Sequence, residues 1–102
     1  MIAIYARQSV ERENSVSIET QIDYCKAVLK PDEKLKDIKI YKDQGASGSN
    51  TERAGFKEMI KDIKNGFVEK VITYKLDRIS RSLNDFVGIL QVFKENGVEF
   101  VS

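Results

Sequence analysis

Residues 70–82 read KVITYKLDRISRS, a short strand-forming run that gives way to three cations, Lys75, Arg78 and Arg81, gathered around one carboxylate, Asp77. Lys70–Tyr74 is rich in β-branched and aromatic side chains, which suit a pleated, half-buried surface, so it is expected as a strand. Ser82 with Asp85 three residues later resembles a capping box. Behind it Leu83, Phe86, Val87, Leu90 and Phe93 recur at helical spacing, and Asn96-Gly97 supplies the stop. A strand therefore feeds a helix through a charged junction. Taken alone, that junction reads equally as a solvated turn carrying a surface salt-bridge cluster.

The same pattern extends in both directions. Ile2–Arg7 alternates in a strand-like way, and Ser17 is a candidate cap for a helix whose stripe is Ile18, Ile22, Cys25, Val28 and Leu29. Ile38–Tyr41 reads as a second strand, followed by the loop DQGASGSNTER and a helix with the stripe Phe56, Met59, Ile60 and Ile63, stopped by Asn65-Gly66. Val98–Ser102 begins a fourth strand. The order β-α-β-α-β-α-β predicts an α/β fold: a single three-layer domain with a mostly parallel sheet, right-handed crossovers and flanking helices. No internal repeat, linker or low-complexity segment interrupts it.

Composition narrows the function. A chain of 102 residues with 41% hydrophobic content suits one domain. No apolar run reaches the roughly 18 residues that span a bilayer, and Arg7 interrupts the N-terminal MIAIYARQS where a signal peptide would stay apolar. A soluble, cytoplasmic protein without a membrane partner is expected. Cys25 is the single cysteine, which excludes an internal disulfide, and its place on an apolar stripe marks it as core. The absence of histidine removes the commonest metal ligand and the usual general base. With 17 basic and 16 acidic residues the net charge is +1, so any nucleic-acid affinity must come from a local patch.

In an open parallel sheet, sites form beyond the carboxyl ends of the strands. Ser9 follows the first strand, Asp43 and the Gly/Ser loop follow the second, and YKLDRISRS follows the third. Strand alternation places Tyr5, Arg7 and Ser9 on one face, with Arg7 and Ser9 about 7 Å apart along the backbone. Ser9 is either a strand-ending hydroxyl bonded to nearby backbone or a group that shares a ligand with Arg7. Arg53 lies at the start of a helix, where amides and dipole favour an anion. Arg78 and Arg81, three apart, can face one group, with Asp77 holding an arginine or handling a proton. Guanidinium forks suit phosphate because they donate paired hydrogen bonds and stay charged at any working pH.

YARQS, SIETQ, DQGASGSNTER and YKLDRISRS, in this order and with these elements between them, resemble the catalytic domain of serine site-specific recombinases, the resolvase and invertase family, over nearly the whole chain. The long spacing in ERENSVSIETQ is more similar to the large integrase and transposase branch than to the small resolvases. The resemblance implies a resolvase-like catalytic domain that acts on DNA, with Ser9 as the nucleophile forming a 5′-phosphoserine intermediate, and without metal or other cofactor. It implies that Arg7, Arg53, Arg78 and Arg81 surround the scissile phosphate and that Gln21 and Lys75 assist near it. It further implies that Asp77 positions groups or carries the leaving-group proton, and that Asp43 orders the arginines. It leaves the group that takes the serine proton unassigned.

Ala54 stands where the family often has proline at this helix start; alanine also forms helix well, so little is expected to change. Family members continue into a long helix used for dimerisation and DNA contact and into DNA-binding domains. Residues 1–102 are accordingly expected to be a catalytic core lacking those parts, inactive alone, whereas the full-length protein assembles as a dimer and tetramer. The rival reading is a non-catalytic phosphate- or nucleic-acid-binding α/β module in which Ser9 is incidental. A metal-dependent nuclease using Asp43 and Asp77 is disfavoured, since two isolated acids without histidine make a poor metal site.

Overall fold

The computed structural model describes residues 1–8, 17–44, 54–74 and 83–101. Strands β1 (Ile2–Gln8), β2 (Ile38–Gln44), β3 (Lys70–Thr73) and β4 (Glu99–Val101) alternate with helices α1 (Ile18–Ala27), α2 (Ala54–Lys64) and α3 (Leu83–Glu95). A short 3₁₀ turn at Glu33–Leu35, which periodicity did not reveal, precedes β2.

Local chemistry sets the helix limits. Ser17 is extended and its hydroxyl accepts from the Thr20 amide at 3.2 Å, so it caps α1 as expected. Both Asn-Gly stops work alike. Gly66 and Gly97 take φ of 81° and 66°, a left-handed conformation that costs glycine least. The following amides fold back, from Phe67 to the Asp62 carbonyl at 3.0 Å and from Val98 to the Phe93 carbonyl at 2.8 Å. These 6→1 bonds satisfy carbonyls that the helix end would otherwise leave open. In α3 the fold-back also seats Val98 in the core beside Phe93.

All strand pairs are parallel, in the order β2-β1-β3-β4. The chain leaves β1 toward β2 and later crosses back to β3 on the other side, so strand order reverses between β1 and β3. Two cores follow from alternation along β1. Ile2 and Ile4 pack with Cys25 and Leu29 of the α1 layer and with Ile72. Ala3 and Tyr5 pack with Met59 and Ile63 of α2, Phe93 of α3 and Val71. One helix covers one face and two cover the other, which gives the three layers.

Two stripes differ from expectation. Val28 is 41% exposed because α1 ends at Ala27, leaving Val28 as its C-cap. In α3 the inward arc is centred on Ile89, Val92 and Phe93, so Val87 is 58% and Leu90 37% exposed. An apolar helix sequence states that a buried face exists without fixing its angular centre. The side chains of Leu83, Phe86 and Asp85, and all of Ser82, lie outside the described residues.

The amino edge of the sheet is fastened by ion pairs. Lys70, at the start of β3, donates to Glu33 at 2.8 Å with both side chains largely buried, and Glu99 lies 3.8 Å away. Glu33 also accepts from the Lys30 amide. Across the β2–α2 contact, Tyr41 donates to Asp62 at 2.5 Å and Lys39 reaches both Asp62 and Glu58. The hydrogen bond from Lys70, followed by that from the Lys30 amide, holds the Glu33 carboxyl below the usual range; bonds from Tyr41 and then Lys39 do the same for Asp62.

A depressed carboxyl pKa favours the folded state once the unfolded carboxyl has ionised. The stabilisation is present above about pH 4 and drains as pH falls through the folded value. Chemical denaturation followed from pH 7 to pH 2 is expected to show a shallower acid decline for Glu33→Gln than for the parent chain.

Candidate active site

The β1 exit is held from two sides. Pairing with β3 stops at Tyr5↔Thr73, whereas pairing with β2 runs on to Gln8↔Gln44. Beyond the last β3 pair the Gln21 side chain takes over. Its amide nitrogen donates to the Arg7 carbonyl at 2.9 Å, and its oxygen accepts from the Arg7 N–H at 3.2 Å. A side-chain amide thus stands in for a peptide of a neighbouring strand, and Gln21 is fully buried in doing so. Burial of the amide is tolerated because both its ends are bonded.

On the β2 side, Asp43 pairs in register with Arg7 and is nearly buried. Its carboxylate accepts from the Tyr5 hydroxyl at 2.6 Å, the Gly55 amide at 2.8 Å and the Phe56 amide at 3.0 Å. The residue before α2 is Arg53, which has no side-chain acceptor to cap a helix. Asp43 supplies that cap from the strand, and its negative charge also meets the positive helix end. The anion at this helix start, where sequence suggested room for a phosphate, is therefore the protein's own carboxylate. Tyr5, whose ring meets Phe56 edge-on at 5.6 Å, alternates with Arg7 in sequence, but nothing local marks its hydroxyl as a partner of Asp43.

Gly55 explains how α2 comes so close. A Cβ there would lie 2.6 Å from the Lys42 carbonyl oxygen, inside contact distance of strand backbone that cannot move aside. Cys25 lies at the opposite extreme of reactivity: it is fully buried under the sheet, and desolvation pushes its thiol up to about 11.

Of the expected site residues, the structure brings Arg7, Gln21 and Asp43 together at the carboxyl ends of β1 and β2. Asp43 bonds Tyr5 and the start of α2, and Gln21 bonds the Arg7 backbone. Both shape the frame around Arg7. Ser9, Arg53, Lys75, Asp77, Arg78 and Arg81 lie outside the described residues. Their attachment points are fixed: Ser9 follows β1, Arg53 precedes α2, and the other four lie between Tyr74 and α3. Because β1, β2 and β3 are parallel, all three connections start from the carboxyl edge.

Arginine is distributed accordingly. The five arginines are Arg7 at the end of β1, Arg12 in the β1–α1 connection, Arg53 in the β2–α2 connection, and Arg78 and Arg81 in the β3–α3 connection. Of twelve lysines only Lys75 falls within those three connections. A net charge of +1 conceals this segregation. Among the described residues no group of three or more histidine, cysteine, aspartate or glutamate side chains could hold a metal ion, and no helix is long and apolar enough to cross a membrane.

Two substitutions test this frame by urea unfolding. Gln21→Leu leaves the Arg7 N–H and carbonyl without this partner in a partly buried setting and is expected to lose about 1–3 kcal/mol for each group left unsatisfied. Gly55→Ala forces α2 away from β2 and is expected to lose roughly 1–3 kcal/mol, the range for overpacking.

Known proteins resemble this chain in sequence and in fold. The family described as "Resolvase, N terminal domain" matches residues 2–102. A candidate DNA recombinase of Bacillus subtilis (strain 168) is 39% identical over 85 residues, which cover 81% of this chain and 16% of that protein. The transposon Tn917 resolvase of Enterococcus faecalis is 33% identical over 103 residues, covering 100% of this chain and 48% of the resolvase. The crystal structure of the N-terminal catalytic domain of TP901-1 integrase superposes with a TM-score of 0.80 at 35% identity, covering 99% of this chain and 75% of that one. The chain thus spans between about a sixth and a half of the length of these two curated relatives. With a match to the family over residues 2–102 and a shared parallel-sheet fold, this chain belongs to the resolvase N-terminal domain family.

Proposed function

We propose that this domain is the catalytic core of a site-specific DNA recombinase, with Ser9 as the nucleophile. The observation that carries the reading is that every arginine falls, in sequence, at the end of β1 or in one of the three connections that leave the carboxyl ends of β1, β2 and β3, the first of which begins with Ser9. Ser9 Oγ attacks a DNA phosphorus; the Oγ–P bond forms as the P–O3′ bond breaks, leaving a 5′-phosphoserine link and a 3′ hydroxyl. The serine proton is lost to a base, and O3′ takes up a proton as it leaves. Reversal by a 3′ hydroxyl on a new partner strand rejoins the DNA. One difficult displacement becomes two easier ones, and the phosphodiester energy is kept in the covalent link.

Arg7, Arg53, Arg78 and Arg81 stabilise the negative charge that grows on the phosphoryl oxygens. Lys75 adds a further cation, and Asp77 orients an arginine or delivers the proton to O3′. Gln21 and Asp43 act through the backbone of Arg7 and the start of α2. Residues 1–102 form the catalytic core, and recombination by the whole protein needs DNA-binding and assembly parts in addition, with a dimer or tetramer as the working form. The likeness to TP901-1 integrase, at 35% identity, supports placement in the large integrase and transposase branch.

The test uses full-length protein carrying this domain and a recombination-site DNA whose nick traps the cleaved state. The parent is expected to form a covalent protein–DNA adduct, unaffected by a chelator. Ser9→Ala is expected to form none, and Arg78→Ala about 10²–10³-fold less while still binding DNA, the scale expected when one charge-stabilising donor is removed. An adduct that survives Ser9→Ala overturns the mechanism. DNA binding without any adduct in the parent favours the non-catalytic module.

A further inference from the structure

Helix α1 touches both strand ends that flank the reversal of strand order. Gln21 bonds the Arg7 backbone at the end of β1. Three residues further along the helix, the Tyr24 ring meets the Tyr74 ring edge-on, with centroids 5.0 Å apart and planes at 88°. Side chains three apart on a helix share a face, so one short stretch of α1 addresses both strands. Tyr74 directly follows β3 and directly precedes Lys75. Tyr24 is 43% exposed and joins neither buried core cluster. Ordinary core packing therefore does not account for the pairing.

We propose that Tyr24 is a positioning residue: by seating Tyr74 it fixes the point at the end of β3 from which the chain continues to Lys75, relative to the Arg7 segment that Gln21 holds on the same helix. Edge-to-face geometry arises from the ring quadrupoles, so the aromatic ring and not the hydroxyl is what matters. Reaction rates respond to small errors in placement far from the reacting atoms, which gives such a contact leverage on cleavage without any touch on DNA. What the two segments do to DNA rests on the recombination reading above; the geometric role of Tyr24 does not.

The test again uses the full-length protein. Single-turnover adduct formation at saturating protein is expected to slow about 3- to 10-fold in Tyr24→Ala, the factor one aromatic pair supplies, with the DNA concentration for half-saturation unchanged. Tyr24→Phe is expected to react at the parental rate. Tyr74→Ala is expected to lose as much as Tyr24→Ala, and the double variant no more than either single change. A parental rate in Tyr24→Ala, equal losses in the Phe and Ala variants, or additive losses in the double variant would each overturn the proposal.

Amide chemical shifts provide a readout independent of chemistry. In Tyr24→Ala those of residues 74–77 are expected to move while that of Arg7 stays; unmoved shifts at 74–77 sink the proposal. If the parent forms no adduct, the recombination reading fails, and the shifts alone decide the role of Tyr24.

Discussion

Asp43 is the constraint on which the rest of the carboxyl edge depends. An ionised carboxylate removed from water is costly unless its oxygens find donors. Here three donors come from two other elements: the Tyr5 hydroxyl of β1 and the Gly55 and Phe56 amides of α2. Because these partners lie 12 to 38 residues away in sequence, satisfying one side chain fixes β1, β2 and α2 relative to one another. The helix can accept this cap only because Gly55 allows its first turn to lie against the β2 backbone. Arg7, paired in register with Asp43, inherits a fixed position.

The two ends of the sheet divide structure from chemistry. At the amino edge the chain's own termini of strands are tied by backbone bonds and lysine–carboxylate pairs: the N-terminal amine donates to the Phe67 carbonyl, Lys36 to Glu69 and Lys70 to Glu33. Lysine serves there as a point charge matched to a nearby acid. In sequence the arginines fall instead at the end of β1 and in the connections that follow β1, β2 and β3, where, in the proposed mechanism, a planar fork that donates in pairs suits a tetrahedral anion. The hydrophobic layers between them are built from alternating strand residues and hold the two edges at a constant separation.

What could be read directly from sequence was whatever local chemistry decides. The β-branched runs at Ile2–Ile4 and Val71–Thr73, the Ser17 cap and the two Asn-Gly stops each state their structure within a few residues, and each was found as read. Cys25 declared itself core by its place on a stripe. What could not be read is what tertiary contact decides: the angular centre of α3, the buried Lys70–Glu33 pair, the cap that Asp43 lends to α2, and the use of Gln21 as an extra strand residue. Glutamine on a helix ordinarily signals solvent. The one hint was its position, one turn inside a capped helix that must pass over the end of β1.

Proton chemistry at this edge is constrained by what the chain lacks as well as by what it holds. Without histidine, the chain holds no side chain whose ordinary titration falls near neutrality. The one thiol is no substitute: Cys25 is buried in the α1-side core, and its raised pKa keeps it protonated. A hydroxyl nucleophile must then be activated by lowering the cost of its anion, and fixed positive charge does this without having to titrate. Guanidinium groups do so at every working pH and, unlike a protonated histidine, never compete to take the proton themselves. Under the proposed mechanism, cleavage built this way should track the placement of charge more closely than the protonation of any single base, and the frame that fixes the Arg7 backbone is the part of that placement the fold supplies.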